Sequence, residues 1–333
     1  MQIAATGDRA STSNVMSVVI PTRNRARLLR DVLDDLGAQA HSQESFEIIV
    51  VDDGSTDNTR GVVRDYAARP DSPETRYVRL DHRGVNASRN EGLLHARGDL
   101  ILFLDDDASI PSTWIQAFLD SKEQFPEAEC LGGRIKPRFE AALPRMCSER
   151  HLKDIGFDMG VEARDVSFVC GGNMMISRKA LDRVGSFSED IWLGTSLAGS
   201  GYGDESEWEA RLHRAGGQIV YLPDAWMWHR RGAKELTRRA LLRSSWSRGK
   251  AVAILSPLTH RPGLSVTSSL WRACREALHA LTGCWGGVFD VSHWLAQALT
   301  SASLLVRGRG GGYLYWLPHR LRRRLRLSPP EGS

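Results

Sequence analysis

The sequence predicts an α/β protein, with a mostly parallel central sheet flanked by helices and a C-terminal helical annex. Two observations carry the α/β part: short β-branched runs alternate with segments of helical period from Ser17 onward, and acidic or hydroxyl residues directly follow those runs, where strands pass into helices. A third separates the annex. After Arg231 the chain turns to stretches rich in Trp, Leu and Arg, interrupted by Pro257, Pro262, Gly286-Gly287 and the region from Gly308 to Gly312. Three parts follow: a flexible leader over 1–14, an α/β unit over 15–232 and the annex over 233–333.

Val18 to Pro21 reads as a buried strand, after which Leu29, Val32, Leu33 and Leu36 fall at i, i+3, i+4 and i+7 on one helix face. Phe46 to Val51 is the second strand. Asp52-Asp53-Gly54-Ser55-Thr56-Asp57 then supplies a turn and an N-cap for a helix through Val62, Val63 and Tyr66. A helix is predicted from Asn86 to Ala96. The apolar run Leu100 to Leu104 forms a strand that stops at Asp105-Asp106-Asp107. Further strands are predicted over Cys130 to Ile135, Phe168 to Ile176 and Gln218 to Leu222, with a helix from Asp204 to Ala215 ending at Gly216.

Composition sets bounds on function. The 333 residues are 41% hydrophobic and 25% charged, as in ordinary globular proteins, and 44 basic against 40 acidic residues leave a net charge of +4. That excess is too small to imply nucleic-acid binding; it is concentrated late, in Arg320, Arg322, Arg323, Arg324 and Arg326. Five widely spaced cysteines without a CxxC pair read as reduced thiols of a cytoplasmic protein. The first fourteen residues lack the apolar stretch of a secretory signal. The most apolar late segment, Val288 to Val306, is broken by Asp290, His293 and Gln297, so no spanning helix is predicted.

In open parallel sheets ligands bind beyond the carboxyl ends of the strands, which predicts that Thr22, Asp53 and Asp105 to Asp107 gather on one rim. Three adjacent carboxylates are costly unless a cation or hydrogen-bond donors offset them. Mg²⁺ or Mn²⁺ suits such oxygen ligands; a solvated acidic turn is the plain alternative. Asp53 on the same rim can accept hydrogen bonds from a base or ribose. Glu205, Trp208, Leu212 and Ala215 share a helix face, which predicts a partly buried Glu205 able to act as a base. Asp204, Glu207 and Glu209 read as complements to the helix dipole. His229, beyond a predicted strand, is either structural or a neutral imidazole ligand.

Taken in order, these segments resemble the family-2 inverting glycosyltransferases of the GT-A fold, from about Ser17 to Arg231. Val18-Val19-Ile20-Pro21-Thr22-Arg23-Asn24-Arg25 looks like the opening strand of that family, and Val50 to Asp57 like its nucleoside-binding loop. Gly84 to Leu93 resembles the segment whose arginine, here Arg89, helps hold the nucleotide. Leu102-Phe103-Leu104-Asp105-Asp106-Asp107 matches the DxD metal motif, and Gly171-Gly172-Asn173-Met174 with Val184-Gly185-Ser186-Phe187 resembles the acceptor-side stretch.

The resemblance implies a donor pocket of Pro21, Thr22, Arg25, Asp53, Arg89, Asp105 and Asp106, and a divalent cation, Mn²⁺ or Mg²⁺, on Asp105, Asp107 and His229. Gly172, Asn173 and Trp192 fall on the acceptor side, where Trp192, Trp226 and Trp228 are candidates to stack on sugar. The family usually shows Glu-Asp where this chain has Asp204-Glu205. Position for position Glu205 is the base, with Asp204 as its alternative. The implied reaction moves a sugar from a nucleoside diphosphate, UDP foremost, to a hydroxyl of a glycan, glycolipid or small molecule.

Two other readings compete. Phosphoryl transfer would use the acid triplet but leaves Asp53 and Glu205 unexplained, and the sequence has no GxxxxGK[ST] loop. A nucleotide-sugar scaffold without turnover rests on the reversed Asp204-Glu205 pair. Trp and Leu interleaved with Arg in the annex suit peripheral contact at the inner face of a cell membrane, near a lipid-linked saccharide, or else a solvated helix.

Overall fold

The computed structural model describes residues 16–40, 46–143, 156–189, 205–237, 239–246 and 295. The leader, Asp204, Trp192 and almost all of the annex, with its arginine-rich stretch, lie outside the described residues.

Seven central elements alternate as the apolar pattern requires: β1 (Met16–Thr22), α1 (Ala26–Gly37), β2 (Phe46–Asp52), α2 (Thr59–Ala67), β3 (Glu74–Arg79), α3 (Val85–His95) and β4 (Leu100–Leu104). β5 (Ala108–Ser109), α4 (Trp114–Gln124), β6 (Ala128–Phe139), β7 (Arg164–Asp165) and β8 (Asn173–Ser177) follow. The described part continues through α5 (Arg178–Val184), α6 (Ser206–Arg214) and β9 (Gln218–Arg231). On α1, Leu29, Val32, Leu33 and Leu36 are all buried, as their spacing predicts. β2 is buried along its whole length, which accounts for its continuous apolar run.

The sheet runs β3-β2-β1-β4-β8-β6-β9-β5, with β7 also on β9. The first four strands are parallel, while β8 is antiparallel to both β4 and β6. The sheet is therefore mixed beyond β4. Antiparallel pairing of Leu104 with Asn173 has a direct consequence: β8 starts on the rim where β1, β2 and β4 end. β5 pairs Ala108 with His229, which brings the far part of β9 to the same rim.

Two expected elements differ from the sequence reading. Only Asn173–Ser177 of the run from Phe168 to Ile176 is strand; before it the chain turns, with Asn173 N–H donating to Cys170 O. β9 extends well past Leu222, to Arg231, because it continues alongside β6 after a bulge between the Gly133 and Ile135 pairs. β3 carries too little apolar period to be read beforehand and is nowhere fully buried, while α4, with Trp114, Ile115 and Phe118 buried on one face, is a helix that the sequence reading leaves out.

The loops after β1 and β2 are tied together by Asp57. One oxygen accepts from Ala26 N–H at 3.0 Å, at the start of α1, and the other from the Thr59 hydroxyl and N–H at 2.5 and 3.1 Å. Burial works against its charge, but the bonds from Thr59 and Ala26 outweigh it and hold the carboxyl below its ordinary 3.8. A lowered folded pKa contributes stability that is fully present above the unfolded value and lost as pH falls through the folded one. Asp57→Ala is expected to cost about 1 kcal/mol at neutral pH, as for a lost helix cap. Urea titrations of both proteins should show that gap narrowing below pH 3.8.

Candidate active site

The acid triplet begins where β4 ends. Asp106 is buried; it accepts from the Thr22 hydroxyl at 2.8 Å and from Arg25 Nη1 at 2.8 Å. The same Arg25 nitrogen donates to Asp107 Oδ2 at 2.7 Å, so one guanidinium serves two carboxylates. Burial favours loss of the Arg25 proton, but Asp106 and Asp107 outweigh that and raise its pKa further. Burial pushes Asp106 up to about 6 even with Arg25 beside it, and burial and then Asp107 raise Asp105. Asp107 goes the other way. Burial opposes its charge, yet the approach of His229 and the charges of His229, Arg25 and Arg231 prevail and hold it near 2.

Asp105, Asp107 and His229 present one ligand atom each within 4.8 Å of one another, the only such described group containing two of the triplet acids. His229 Nε2 lies 3.0 Å from Asp107 Oδ1, but that buried oxygen has no hydrogen-bond partner of proper geometry. Two carboxylates, one of them with an orphaned buried oxygen, and an imidazole form a donor set that fits a hard divalent cation. These are the three residues that the resemblance names for a cation, and the fold brings their side chains together.

Asp53 sits on the same rim with its carboxylate already engaged. Oδ1 accepts from Arg83 N–H at 2.6 Å, and Oδ2 from Gly84 N–H at 3.0 Å, with His82 Nδ1 at 3.1 Å. It therefore fixes the loop that enters α3. Asp52 shapes its own turn, accepting from Ser55 N–H and the Tyr77 hydroxyl at 2.7 and 2.6 Å. Pro21 is half-buried at the β1 end, next to Thr22.

On the other side of the triplet stands Glu205. It is the N-cap residue of α6 and not part of its first turn, with 16% of its side chain exposed. Its Oε1 accepts from Gly171 N–H at 3.2 Å, and Oε2 lies 3.7 Å from Arg89 Nη1. Glu207 and Glu209 lie in the first turn of α6, as the dipole reading expects, and both are also buried. Glu207 pairs with Arg211 at 2.7 Å, and Glu209 accepts from Val169 N–H at 2.7 Å.

Gly172 presses on Asp105, where a Cβ would overlap the carboxylate. Asn173, expected on the acceptor side, is wholly buried: its amide donates to Ala225 O at 2.8 Å and accepts from Trp114 Nε1 at 2.9 Å. It braces β9 against β8 and has no exposed surface for an acceptor. Trp226 and Trp228 are half-buried, packed edge to face, with Lys136 Nζ 4.3 Å from the Trp226 ring centre. Sequence reasoning gave Gly171 no role of its own. Its only signal is a Gly-Gly pair at the end of an apolar run.

A mixed sheet with this rim of acids defines the GT-A class of α/β fold. The description Glycosyl transferase family 2 matches residues 17–185, just over half of the chain, and the chain belongs to that family. It is 31% identical over 248 residues to the validoxylamine A glucosyltransferase of Streptomyces hygroscopicus subsp. jinggangensis, covering 65% of this chain and 56% of that protein. It is 25% identical to glycosyltransferase AglE of Haloferax volcanii, covering 64% and 66%. The chain thus spans between half and two thirds of the length of these relatives.

Among solved structures, the mannosyltransferase PcManGT of Pyrobaculum calidifontis, in complex with GDP-Man and Mn²⁺, superposes with a TM-score of 0.61 at 18% identity, covering 86% of each chain. Residues 1–349 of S. aureus TarS in complex with UDP give 0.52 at 16% identity, covering 88% of this chain and 92% of that one. These likenesses show the fold.

Thr22→Val keeps the shape of the side chain and removes the hydroxyl that serves Asp106. Loss of that donor is expected to cost about 1–3 kcal/mol, measured by chemical denaturation, with the circular dichroism spectrum unchanged.

Proposed function

We propose that the chain is a metal-dependent inverting glycosyltransferase that moves a sugar from a nucleoside diphosphate to an acceptor hydroxyl. One observation carries the reading: a three-ligand acidic site and a separate, half-sheltered carboxylate, Glu205, flank the Gly171-Gly172 turn on one sheet rim. Inverting transfer needs these two functions and no second protein base.

Glu205 accepts the proton as the acceptor O–H bond breaks. The freed electron pair attacks the anomeric carbon from the face opposite the diphosphate, whose bond to that carbon breaks, and configuration inverts. A divalent cation held by Asp105, Asp107 and His229 would offset charge on the leaving diphosphate. Arg25 and Thr22 keep Asp106 and Asp107 in place on the donor side. Asp53 holds the loop at residues 82–84, which together with Pro21 forms the wall nearest a nucleoside. Asp204 remains the alternative base.

UDP is the proposed carrier, supported by the UDP complex of TarS and by the glucosyltransferase relative, while Mn²⁺ is supported by the PcManGT complex. A relative from Shewanella sediminis is named undecaprenyl-phosphate 4-deoxy-4-formamido-L-arabinose transferase, 31% identical over 151 residues. It supports a lipid-linked acceptor and peripheral attachment at the cytoplasmic face of a membrane. Among the described residues no helix is long and apolar enough to cross one.

Thermal shift with a panel of nucleoside-diphosphate sugars, with and without Mn²⁺, tests the donor site. Stabilisation that requires the metal and disappears in Asp107→Ala is the expected result; no response to any donor removes the proposal. Glu205→Gln should keep that stabilisation and lower kcat by about 10²–10⁴-fold. If Asp204→Asn shows that loss instead, the base is Asp204.

A further inference from the structure

We infer that Arg89 and Gly171 together position the Glu205 carboxylate, and that Arg89 serves the base and not the nucleotide. The inference rests on Glu205 being the base. Arg89 lies on α3, with 5% of its side chain exposed. Its Nη1 donates to Asn86 Oδ1 at 3.1 Å, and its guanidinium carbon lies 5.7 Å from the centre of the Phe187 ring. Phe187 is itself clamped between Phe103 and Trp208, with ring centres 5.4 and 5.2 Å away. The guanidinium is thus fixed by the core, with almost no surface to offer a ligand.

A buried cation needs a countercharge. Among the described residues the one carboxylate within ion-pair distance is Glu205, at 3.7 Å. The two oxygens of that carboxylate divide their work. Oε1 takes the Gly171 N–H and Oε2 faces Arg89, which leaves each oxygen a second lone pair for an incoming proton.

Residue 171 lies where these groups converge. A Cβ there would stand 2.5 Å from Arg89 Nη2 and 3.2 Å from Glu205 Cδ. Glycine is therefore required by closeness: any side chain would push the guanidinium or the carboxylate aside. The next residue repeats the arrangement toward Asp105, so the Gly171-Gly172 pair sets base and metal acid on either side of one turn. Glu205 has no side-chain bond to its own helix, so this seat supplies its orientation.

The test uses the full chain with Arg89→Met, Arg89→Lys, Gly171→Ala and Glu205→Gln. UDP-glucose and GDP-mannose, each with Mn²⁺, are the probes; their binding is followed by calorimetry and their hydrolysis by release of nucleoside diphosphate. A displacement of about 1 Å at a reacting group can cost on the order of 10²-fold in rate, so Arg89→Met and Gly171→Ala should lower kcat by about 30- to 100-fold. Donor Kd should stay within about twofold, because neither side chain is exposed to the donor. Arg89→Lys keeps the charge and should recover part of kcat, which a purely structural role would not predict.

Weaker donor binding in Arg89→Met, by tenfold or more with kcat retained, would make Arg89 a nucleotide ligand and overturn the inference alone. Wild-type kcat in folded Gly171→Ala and Arg89→Met would overturn it as well. Turnover by Glu205→Gln at the wild-type rate, or no hydrolysis by the wild type, would instead remove the base itself and the inference with it.

Discussion

The crowding of carboxylates at one rim is the constraint to which the rest of the site answers. Asp105, Asp106 and Asp107 follow a strand that is buried at four of its five positions, so their charges begin in a low-dielectric setting. The chain meets this with a small number of fixed partners. Arg25 spans Asp106 and Asp107, Thr22 donates to Asp106, and His229 is brought to Asp107 by the short β5–β9 pairing. The opposite shifts of Asp106, up to about 6, and Asp107, down to about 2, record how unevenly that compensation is distributed.

That distribution has a structural origin. Asp106 and its donors come from β1, β4 and the start of α1, which parallel pairing places side by side. His229 comes from a strand more than a hundred residues later, and reaches the rim only because β9 continues past its bulge. β9 runs parallel to β6, and its extension past the bulge brings His229 beside Asp105 and Asp107. Antiparallel β8 likewise delivers Gly171 and Gly172 to the rim, which a parallel strand entering from the other edge would not do.

Close approach is the second recurring device. At Gly171 and Gly172 the carboxylates of Glu205 and Asp105 lie against bare backbone, and Asn173 immediately anchors the turn to Ala225 and Trp114. Asp53 does comparable work at the end of β2, where both its oxygens hold the loop before α3. Several residues with polar side chains in motif positions thus hold backbone. Asp107 differs in keeping one buried oxygen without a hydrogen-bond partner.

The sequence by itself determined the order of elements through β4 apart from β3, the face of α1 and the placement of acids at strand ends, because those depend on periodicity and turn chemistry between near neighbours. It also named Asp105, Asp107 and His229 together, through a motif and a histidine, and the fold brings those three side chains close. Tertiary structure alone decided that Arg25 is shared between two acids, that Asn173, Glu207 and Glu209 are buried supports, and that Arg89 faces Glu205 across Gly171. These depend on strand direction, on a bulge and on distances between segments far apart in the chain. A residue type at a given spacing carries no information about which distant group it will meet.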